Sequence, residues 1–250
     1  METRRQSFGE IAHDYDRFRP GPPQDAVEWS VPVGADILEI GAGTGALTRR
    51  LLERSAHVRA VEPDARMRAV LADRVPAAEV VAGRAEELPA ADGSVDVVIG
   101  ASMWHWVDED LALPEVARVL RPGGRFSLLW NGPDRSVDWM RSLWAGGRAL
   151  TDEQIEGVDA ERRQRHLVHL GPDSPFLEPE RRVVRWTLAM TGDELVGLAG
   201  TYSAIVTMGE SERQAWLASM ARFLQTSELP VREGVIEVPM RCLCWRTTLR

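Results

Sequence analysis

The stretch ILEIGAGTGALT, from Ile37 to Thr48, decides the fold of this 250-residue chain. An apolar strand-like run leads into three alternating glycines, and a helical segment begins directly after them. A strand, a glycine turn and a helix N-terminus in this order form a ligand-binding unit of α/β sheets, because glycine lets a ligand approach the backbone closely. The glycine spacing alone leaves the ligand open, since it fits a dinucleotide and also a ligand that carries positive charge.

The periodicity of apolar residues around this stretch alternates between strand and helix types. Repeated strand–helix–strand units with short links imply right-handed crossovers and a parallel sheet. The sequence therefore predicts an α/β fold with a doubly wound, mostly parallel Rossmann-like sheet, a helical cap insertion and an antiparallel C-terminal strand. The predicted strands of the parallel part are 35–40, 57–61, 78–82, 95–100 and 125–130, and the predicted helices between them are 46–55, 64–74 and 112–120.

The chain is expected to divide into three parts. Residues 1–33 are predicted to form an N-terminal helical lid, and 34–133 together with 183–250 the core that binds the cofactor. Residues 134–182 are predicted to be a cap insertion over the substrate site, because open α/β sheets bind ligands at the carboxyl ends of their strands.

Composition excludes several classes of protein. The formal net charge is -8, which disfavours nucleic acid as a partner. The first twenty residues contain no apolar segment typical of a signal peptide, and no apolar run is long enough to span a membrane. Two cysteines, Cys242 and Cys244, make a poor metal site without further ligands. We therefore expect a cytoplasmic protein without a metal or a membrane partner, and the oligomeric state stays open.

Glu39 favours a cationic ligand in the glycine crevice. It lies two residues before Gly41, and a carboxylate there would repel a pyrophosphate and attract an ammonium or a sulfonium group. S-adenosylmethionine carries both groups. The alternative is that Glu39 only pairs with an arginine such as Arg19.

Glu62 follows the second predicted strand, about twenty residues after the glycine loop. An acid at this position binds a ribose diol in dinucleotide-binding sheets, so Glu62 indicates an adenosine-containing ligand. An acid at a strand end can also cap the next helix, and Asp64 could fill that role instead. After the third predicted strand, the turn GRAEELP (83–89) could offer backbone groups and Glu86 to an adenine.

Together these segments resemble the class I S-adenosylmethionine-dependent methyltransferases. The resemblance is carried in order by ILEIGAGTG, the acid in AVEPDARM, GRAEELP, SVDVVIG and LRPGG, over residues 35–130. The segments YDRFRPGPP, TYSAI and SERQAW are similar, more weakly, to the small-molecule branch that includes trans-aconitate and quinone-ring methyltransferases.

The resemblance implies a cofactor-binding role for nine residues. One departure is Arg84, which stands where many relatives have an acid or amide before the Ala–Glu pair. The implied residues are Glu39, Gly41 and Gly43 for the methionine part, Glu62 for the ribose, Met67, Ala85 and Glu86 for the adenine, and Tyr15 and Arg19 as a cover.

The segment after the fourth predicted strand would face the reactive methyl group. Methyl transfer is an in-line displacement that needs mainly approach and alignment. Within ASMWHWVDED, His105 is the candidate general base, since the ordinary pKa of histidine lies near neutrality. Trp104, with Trp130 from the fifth strand, is predicted to line the acceptor pocket. Alternatively, His105 caps or packs locally and the tryptophans fill the joint between sheet and cap.

The function expected from the sequence is methyl transfer from S-adenosylmethionine to a small-molecule acceptor. The chain lacks the Asn/Asp-Pro-Pro-aromatic sequence of enzymes that methylate nucleic-acid or glutamine amines. One alternative is an NAD(P)-dependent oxidoreductase, which Glu39 and the absence of a Tyr-x-x-x-Lys pair disfavour. Another alternative, a non-catalytic domain that binds S-adenosylmethionine, stays open.

Overall fold

The computed structural model describes residues 12–145 and 168–250. Its centre is an eight-stranded sheet in the order β3-β2-β1-β4-β5-β8-β6, with β7 paired to β8. The strands are β1 (Ile37–Ile40), β2 (Val58–Val61), β3 (Glu79–Val81), β4 (Val95–Ala101), β5 (Leu120–Pro133), β6 (Glu180–Met190), β7 (Val231–Arg232) and β8 (Val235–Thr248). The helices are α1 (Ala12–Phe18), α2 (Gln24–Ser30), α3 (Thr48–Leu52), α4 (Ala65–Arg74), α5 (Glu109–Val119), α6 (Asp138–Trp144), α7 (Gly192–Gly200), α8 (Ser203–Val206) and α9 (Glu210–Thr226).

The first five strands are parallel, as predicted. β1 lies in the middle of this half, paired with β2 on one side and β4 on the other. All four β1 residues are buried, as expected of a strand covered on both faces, and Glu39 is the one acid among them. Since the chain runs from β1 outward to β3 and then returns to β4, a crevice opens between the carboxyl ends of β1 and β4.

The C-terminal strand β8 closes the other half of the sheet. It runs antiparallel between β5 and β6, with Leu128 opposite Trp245 and Val184 opposite Cys242. The predicted fold class, a mostly parallel α/β sheet with an antiparallel C-terminal strand, is confirmed.

The two ends of the expected cap segment pack into the rest of the molecule. Met140 and Leu143 of α6 are buried against Leu195 and Leu198 of α7 and against Met220 of α9. At the other end Phe176 bridges to Leu249 and packs on the ring of Phe126. Residues 146–167, the middle of the expected cap, lie outside the described residues. A cap over the substrate site therefore stays a prediction.

The N-terminal segment packs on the helical layer, which is formed by α6, α7 and α9. The ring of Phe18 in α1 covers Gly197 in α7, where an added Cβ would lie 2.6–2.8 Å from three ring carbons. On the opposite side α2 packs beside β8, and Arg246 donates to the carbonyl oxygen of Trp29. Within the described residues, no helix has the length and apolar character needed to cross a membrane.

The contact between Phe18 and Gly197 gives a test of how the N-terminal segment docks. Replacing glycine by alanine inside a helix stabilises it by about 0.5–1 kcal/mol, but overpacking a filled contact costs about 1–3 kcal/mol. We expect Gly197→Ala to lower the free energy of unfolding in urea by about 1 kcal/mol.

Gly192, at the start of the same helix, provides the matched control. An added Cβ there meets only Leu224 at 3.9 Å, which is ordinary contact. Gly192→Ala should be neutral or stabilising. Equal effects of the two variants would mean that α1 does not hold its place on α7 in solution.

Candidate active site

A cavity of about 570 Å³ opens at the carboxyl ends of the parallel strands. Its volume lies in the range of about 300–1,000 Å³ that is usual for small-ligand sites. Its lining comes from α1, the glycine loop, the ends of β2 and β4, and the turn after β3. The lining residues are Tyr15, Gly41, Gly43, Glu62, Pro63, Asp64, Ala65, Arg66, Met67, Gly83, Arg84, Ala85, Glu86, Ala101, Ser102, Met103, Trp106 and Val107.

The glycine loop leaves space on its cavity side. Gly43 has a φ of +59°, and an added Cβ would meet no atom within 4 Å. Gly41, at φ +63°, is instead covered by Met103, whose Cγ would lie 2.8 Å from an added Cβ. Between these glycines and α3, the hydroxyl of Thr44 is buried and has no hydrogen-bond partner among the described residues. The loop therefore has the form of a cradle with one face open to a ligand.

The carboxylate of Glu62 ties this loop to the end of β2. One oxygen accepts the N–H of Gly43 and the other accepts the N–H of Asp64, each at 2.9 Å. Burial raises the pKa of Glu62, and the two N–H donors act in the opposite direction. The helix-capping role belongs to Asp64, whose side chain accepts from the N–H groups of Arg66 and Met67. Glu62 is thus held in the cavity wall and is not a helix cap.

Glu39 is placed differently from the expectation. Its side chain is 1% exposed and is not part of the cavity lining, and it accepts a 2.6 Å hydrogen bond from the hydroxyl of Thr48. Burial raises its pKa to about 8, against the opposing effect of the Thr48 hydrogen bond. The sequence argument placed this carboxylate at the mouth of the crevice, or else in a pair with Arg19. The structure buries it against Thr48, and its role in binding the cofactor stays a prediction.

Met67, Ala85 and Glu86 lie together in the wall between α4 and the turn after β3. Met67 and Ala85 are buried, and Met67 packs beside Tyr15. Arg84, the departure from the family pattern, also lines the cavity and lies 3.6 Å from the carboxylate of Glu86. This wall offers an apolar surface with one acid at its edge.

Of the two lid residues, only Tyr15 lines the cavity. The guanidinium of Arg19 stacks at 3.7 Å over the ring of Tyr202 and lies 5.1 Å from the ring centre of Tyr15. It also donates to the hydroxyl of Thr201 at 2.9 Å and to its carbonyl oxygen at 3.1 Å. Arg19 therefore fastens the segment that carries Tyr15 to the end of α7 and does not itself form the wall.

The aromatic residues after β4 divide between core and cavity. Trp104 is 1% exposed, packs 5.1 Å from the ring of Phe126, and donates from Nε1 to Glu109 at 2.6 Å. Trp106 lines the cavity instead. Residues 104–106 form a 3₁₀ turn with about three residues per turn, so residues two apart point in different directions. The turn thus places Trp106 in the wall of this cavity and Trp104 in the core, and a role for Trp104 in binding the acceptor stays a prediction.

His105 and Trp130 also lie outside the cavity lining. His105 is exposed, and the centre of its ring lies 4.9 Å from that of Trp106. Trp130 is buried in the core between the sheet and α5. The lining residues that sequence reasoning missed include Ser102 and Met103, directly before Trp104, and Trp106 and Val107 after it. Ser102 adopts a φ of +55°, which an L-residue rarely adopts, and no pattern in the sequence indicates this conformation.

The comparisons with known proteins agree on one family. A family model described as a methyltransferase domain matches residues 38–128. A methyltransferase of Mycobacterium bovis is 38% identical over 97% of this chain and 96% of its own length. A methyltransferase of Schizosaccharomyces pombe is 38% identical over 85% of each chain. Among solved structures, that of a candidate type II methyltransferase from Anaeromyxobacter dehalogenans is 26% identical, with a TM-score of 0.63 over 93% of this chain and 98% of its own.

This chain belongs to the methyltransferase family. It is a class I enzyme that uses S-adenosylmethionine as its methyl donor. The oxidoreductase and the non-catalytic domain that the sequence left as alternatives are not favoured.

The buried carboxyl of Glu39 gives a pH-dependent prediction. An acid whose pKa rises from 4.5 to about 8 on folding binds its proton more tightly in the folded state, so its contribution to stability is lost as pH increases through that window. Glu39→Gln keeps an acceptor for Thr48 and removes this loss. We expect the free energy of unfolding of Glu39→Gln relative to wild type to rise by about 2–3 kcal/mol between about pH 5 and about pH 8.

Chemical denaturation across that pH range measures the difference. Glu53→Gln is the control. Glu53 lies on the surface directly after α3, the helix that begins at Thr48, and its side chain is 49% exposed. It should show no such trend. A pH-independent difference between Glu39→Gln and wild type would mean that Glu39 is ionised in the folded protein.

Proposed function

We propose that this enzyme transfers the methyl group to a small molecule that binds in the cavity beside Trp106. The observation that carries the proposal is the continuity of the cavity from Glu62, at the end of β2, to Trp106, beyond the end of β4. One end offers an acid and backbone groups to an adenosine. The other end offers apolar side chains and can take a second molecule.

The residues at the first end fit S-adenosylmethionine. Glu62 would accept hydrogen bonds from the ribose hydroxyls, and the open side of Gly43 would receive the methionine part. Thr44 has a buried hydroxyl with no partner in the part of the chain that the structure describes, and a bound ligand or water can satisfy it. Met67, Ala85 and Glu86 would enclose the adenine. When bound, S-adenosylmethionine supplies a methyl group on a positively charged sulfonium.

The second end favours an acceptor that is partly apolar or aromatic. Met103, Trp106 and Val107 form an apolar wall there, beside the end of β4. The protein's contribution would be approach and alignment, which can lower the barrier by several kcal/mol (roughly 7–11 in well-oriented systems). His105, next to Trp106, is retained as the proposed general base for an acceptor that must lose a proton.

The class of acceptor, the branch of the methyltransferase family and the cellular location are also part of this proposal. The net charge of -8 argues against a nucleic-acid acceptor. The N-terminal segment YDRFRPGPP supports the branch that includes trans-aconitate and quinone-ring methyltransferases, because its Tyr15 lies in the cavity wall. A cytoplasmic location fits a small-molecule enzyme of this kind.

The role of the glycine loop can be tested with a pair of matched variants. Gly43 and Gly93 have nearly equal φ angles, +59° and +56°, and neither would bring an added Cβ within 4 Å of another atom. Alanine should therefore cost each site about 1–2 kcal/mol of stability. Only Gly43→Ala places its methyl group in the cavity, so it alone should weaken S-adenosylhomocysteine binding, by about tenfold or more.

Isothermal calorimetry on both variants gives the comparison. Gly93→Ala should bind with wild-type affinity. If Gly43→Ala also binds normally, the ligand does not pass over the open side of Gly43.

The acceptor wall gives a second prediction, read from methyl transfer. Trp106→Ala should reduce turnover with little change in cofactor affinity, because the apolar wall is lost while the adenosine end is intact.

If His105 acts as a base, the loss of turnover in His105→Ala should shrink as pH rises and the acceptor ionises unaided. A loss that is flat with pH would assign His105 a packing role only.

The proposed function is tested by transfer of labelled methyl groups to a panel of phenols, carboxylic acids, amines and thiols. The panel is paired with calorimetric titration of S-adenosylmethionine, S-adenosylhomocysteine and NAD. We expect binding of the first two, no binding of NAD, and transfer to an apolar or aromatic member. Binding without transfer to any acceptor class would favour the non-catalytic alternative.

A further inference from the structure

Asp16 on α1 forms ion pairs with two helices at once. One carboxylate oxygen lies 2.9 Å from a guanidinium nitrogen of Arg49 on α3, and the other lies 3.3 Å from a guanidinium nitrogen of Arg74, the last residue of α4. α3 follows the glycine loop and α4 follows the end of β2, so they continue the two loops that Glu62 joins. The carboxylate of Asp16 therefore holds α1 to both helices beside the cavity.

The preceding residue, Tyr15, is the part of α1 that reaches the cavity. It lines the cavity and packs beside Met67 and Val70 of α4. A ring in this place covers the wall against which the adenosine is proposed to bind. Since Asp16 directly follows Tyr15 on the same short helix, its two ion pairs set how closely the ring approaches that wall.

The chain directly after α1 is fastened by separate contacts. Arg19 donates to the hydroxyl of Thr201 at the end of α7, at 2.9 Å. The side-chain amide of Asn131, on β5, donates to the carbonyl oxygen of Gly21 at 3.1 Å. These contacts do not depend on the ion pairs of α1. The start of α1 can therefore move away from the cavity while residues 19–21 keep their place.

The ion pairs of Asp16 lie where water and salt reach them. The side chain of Asp16 is 12% exposed, and those of Arg49 and Arg74 are 39% and 56% exposed. Ion pairs near the surface are individually weak, and salt screens them, so they break and form again readily. Contacts of this kind fit a cover that opens and closes repeatedly.

We propose that Asp16 is a latch, whose two ion pairs hold Tyr15 over the cavity and set the rate of cofactor exchange. The inference rests on the proposed position of the cofactor in this cavity. Every catalytic cycle needs one exchange, because S-adenosylhomocysteine occupies the place of the next S-adenosylmethionine. Asp16 is not among the residues that line the cavity, so it is a positioning residue that acts through Tyr15.

A latch has a kinetic signature that a ligand contact lacks. The ion pairs are the same in the closed protein with and without ligand, so weakening them favours opening of both forms by the same factor. The rate constants for association and dissociation should then rise together, and their ratio, the dissociation constant, should stay the same. Loss of a group that contacts the ligand acts mainly on the dissociation rate and lowers affinity.

The experiment is stopped-flow measurement of S-adenosylhomocysteine binding and release, followed by tryptophan fluorescence with Trp106 in the cavity wall as reporter. This ligand is chosen because its carboxylate and ammonium cancel, so long-range steering by charge contributes little. Asp16→Asn keeps the shape of the side chain and removes its charge. We expect both rate constants to rise about three- to tenfold, with a dissociation constant within about twofold of wild type.

Two further variants locate the effect. Asp73→Asn is the matched control, because it removes the same charge from an exposed acid directly before Arg74, and it should leave both rate constants at their wild-type values. Arg74→Gln should raise both rate constants less than Asp16→Asn does, because the pair with Arg49 remains. Adding Arg74→Gln to Asp16→Asn should have no further effect, since the same pair is already lost.

Potassium chloride gives an independent test in the unmodified protein. Raising its concentration to about 1 M shortens the screening length to about 3 Å, which weakens the pairs of Asp16. Both rate constants should rise in wild type at an unchanged dissociation constant, and they should rise less in Asp16→Asn. If Asp16→Asn does not fold, Arg74→Gln and this salt series decide.

Unchanged rate constants in Asp16→Asn would overturn the inference. A loss of affinity that comes from faster dissociation alone would also overturn it, because Asp16 would then act as a ligand contact. Failure of wild type to bind S-adenosylhomocysteine would instead overturn the cofactor position on which the inference rests.

Discussion

The carboxylate of Glu62 holds together the part of the molecule on which the site depends. It accepts one N–H from the glycine loop after β1 and one from the start of the segment after β2. Two loops that leave neighbouring parallel strands are thereby fixed at a set distance, with the open side of Gly43 between them. A buried carboxylate bonded to two N–H donors is held rigidly, so in its proposed role Glu62 would bind a ribose without rearrangement.

The rest of the cavity wall comes from the segments that follow β2, β3 and β4. α4 contributes Met67, the turn after β3 contributes Ala85, and the end of β4 contributes Met103 and Trp106. Each lies at the carboxyl end of a parallel strand, where the order β3-β2-β1-β4 reverses direction. The helical layer fastens Tyr15 over this crevice through Arg19 and Thr201. The strand order therefore brings most of the cavity wall together. The position of Tyr15 depends in addition on side-chain contacts with the helical layer.

The fold could be predicted because its information is local. Strand segments such as Ile37–Ile40 and Val95–Ala101 are mostly apolar and largely buried. The glycines after Ile40 permit the tight turn that leads into α3. Five wall residues could be predicted because they come shortly after predicted strands. They are Gly43, Glu62, Met67, Ala85 and Glu86. The sequence could not indicate the direction of single side chains. A 3₁₀ turn places Trp104 in the core and Trp106 in the cavity wall, and burial raises the pKa of Glu39. Both effects arise only in the folded protein.

A crystal structure of the protein with S-adenosylhomocysteine tests the central claim most directly. The measured quantities are the distances from the two ribose hydroxyls to the carboxylate oxygens of Glu62. The account predicts both hydroxyls within hydrogen-bond distance of that carboxylate, with the homocysteine part over the open side of Gly43 and its sulfur directed toward Met103 and Trp106. A ligand bound with its ribose away from Glu62, or in another part of the molecule, would contradict it.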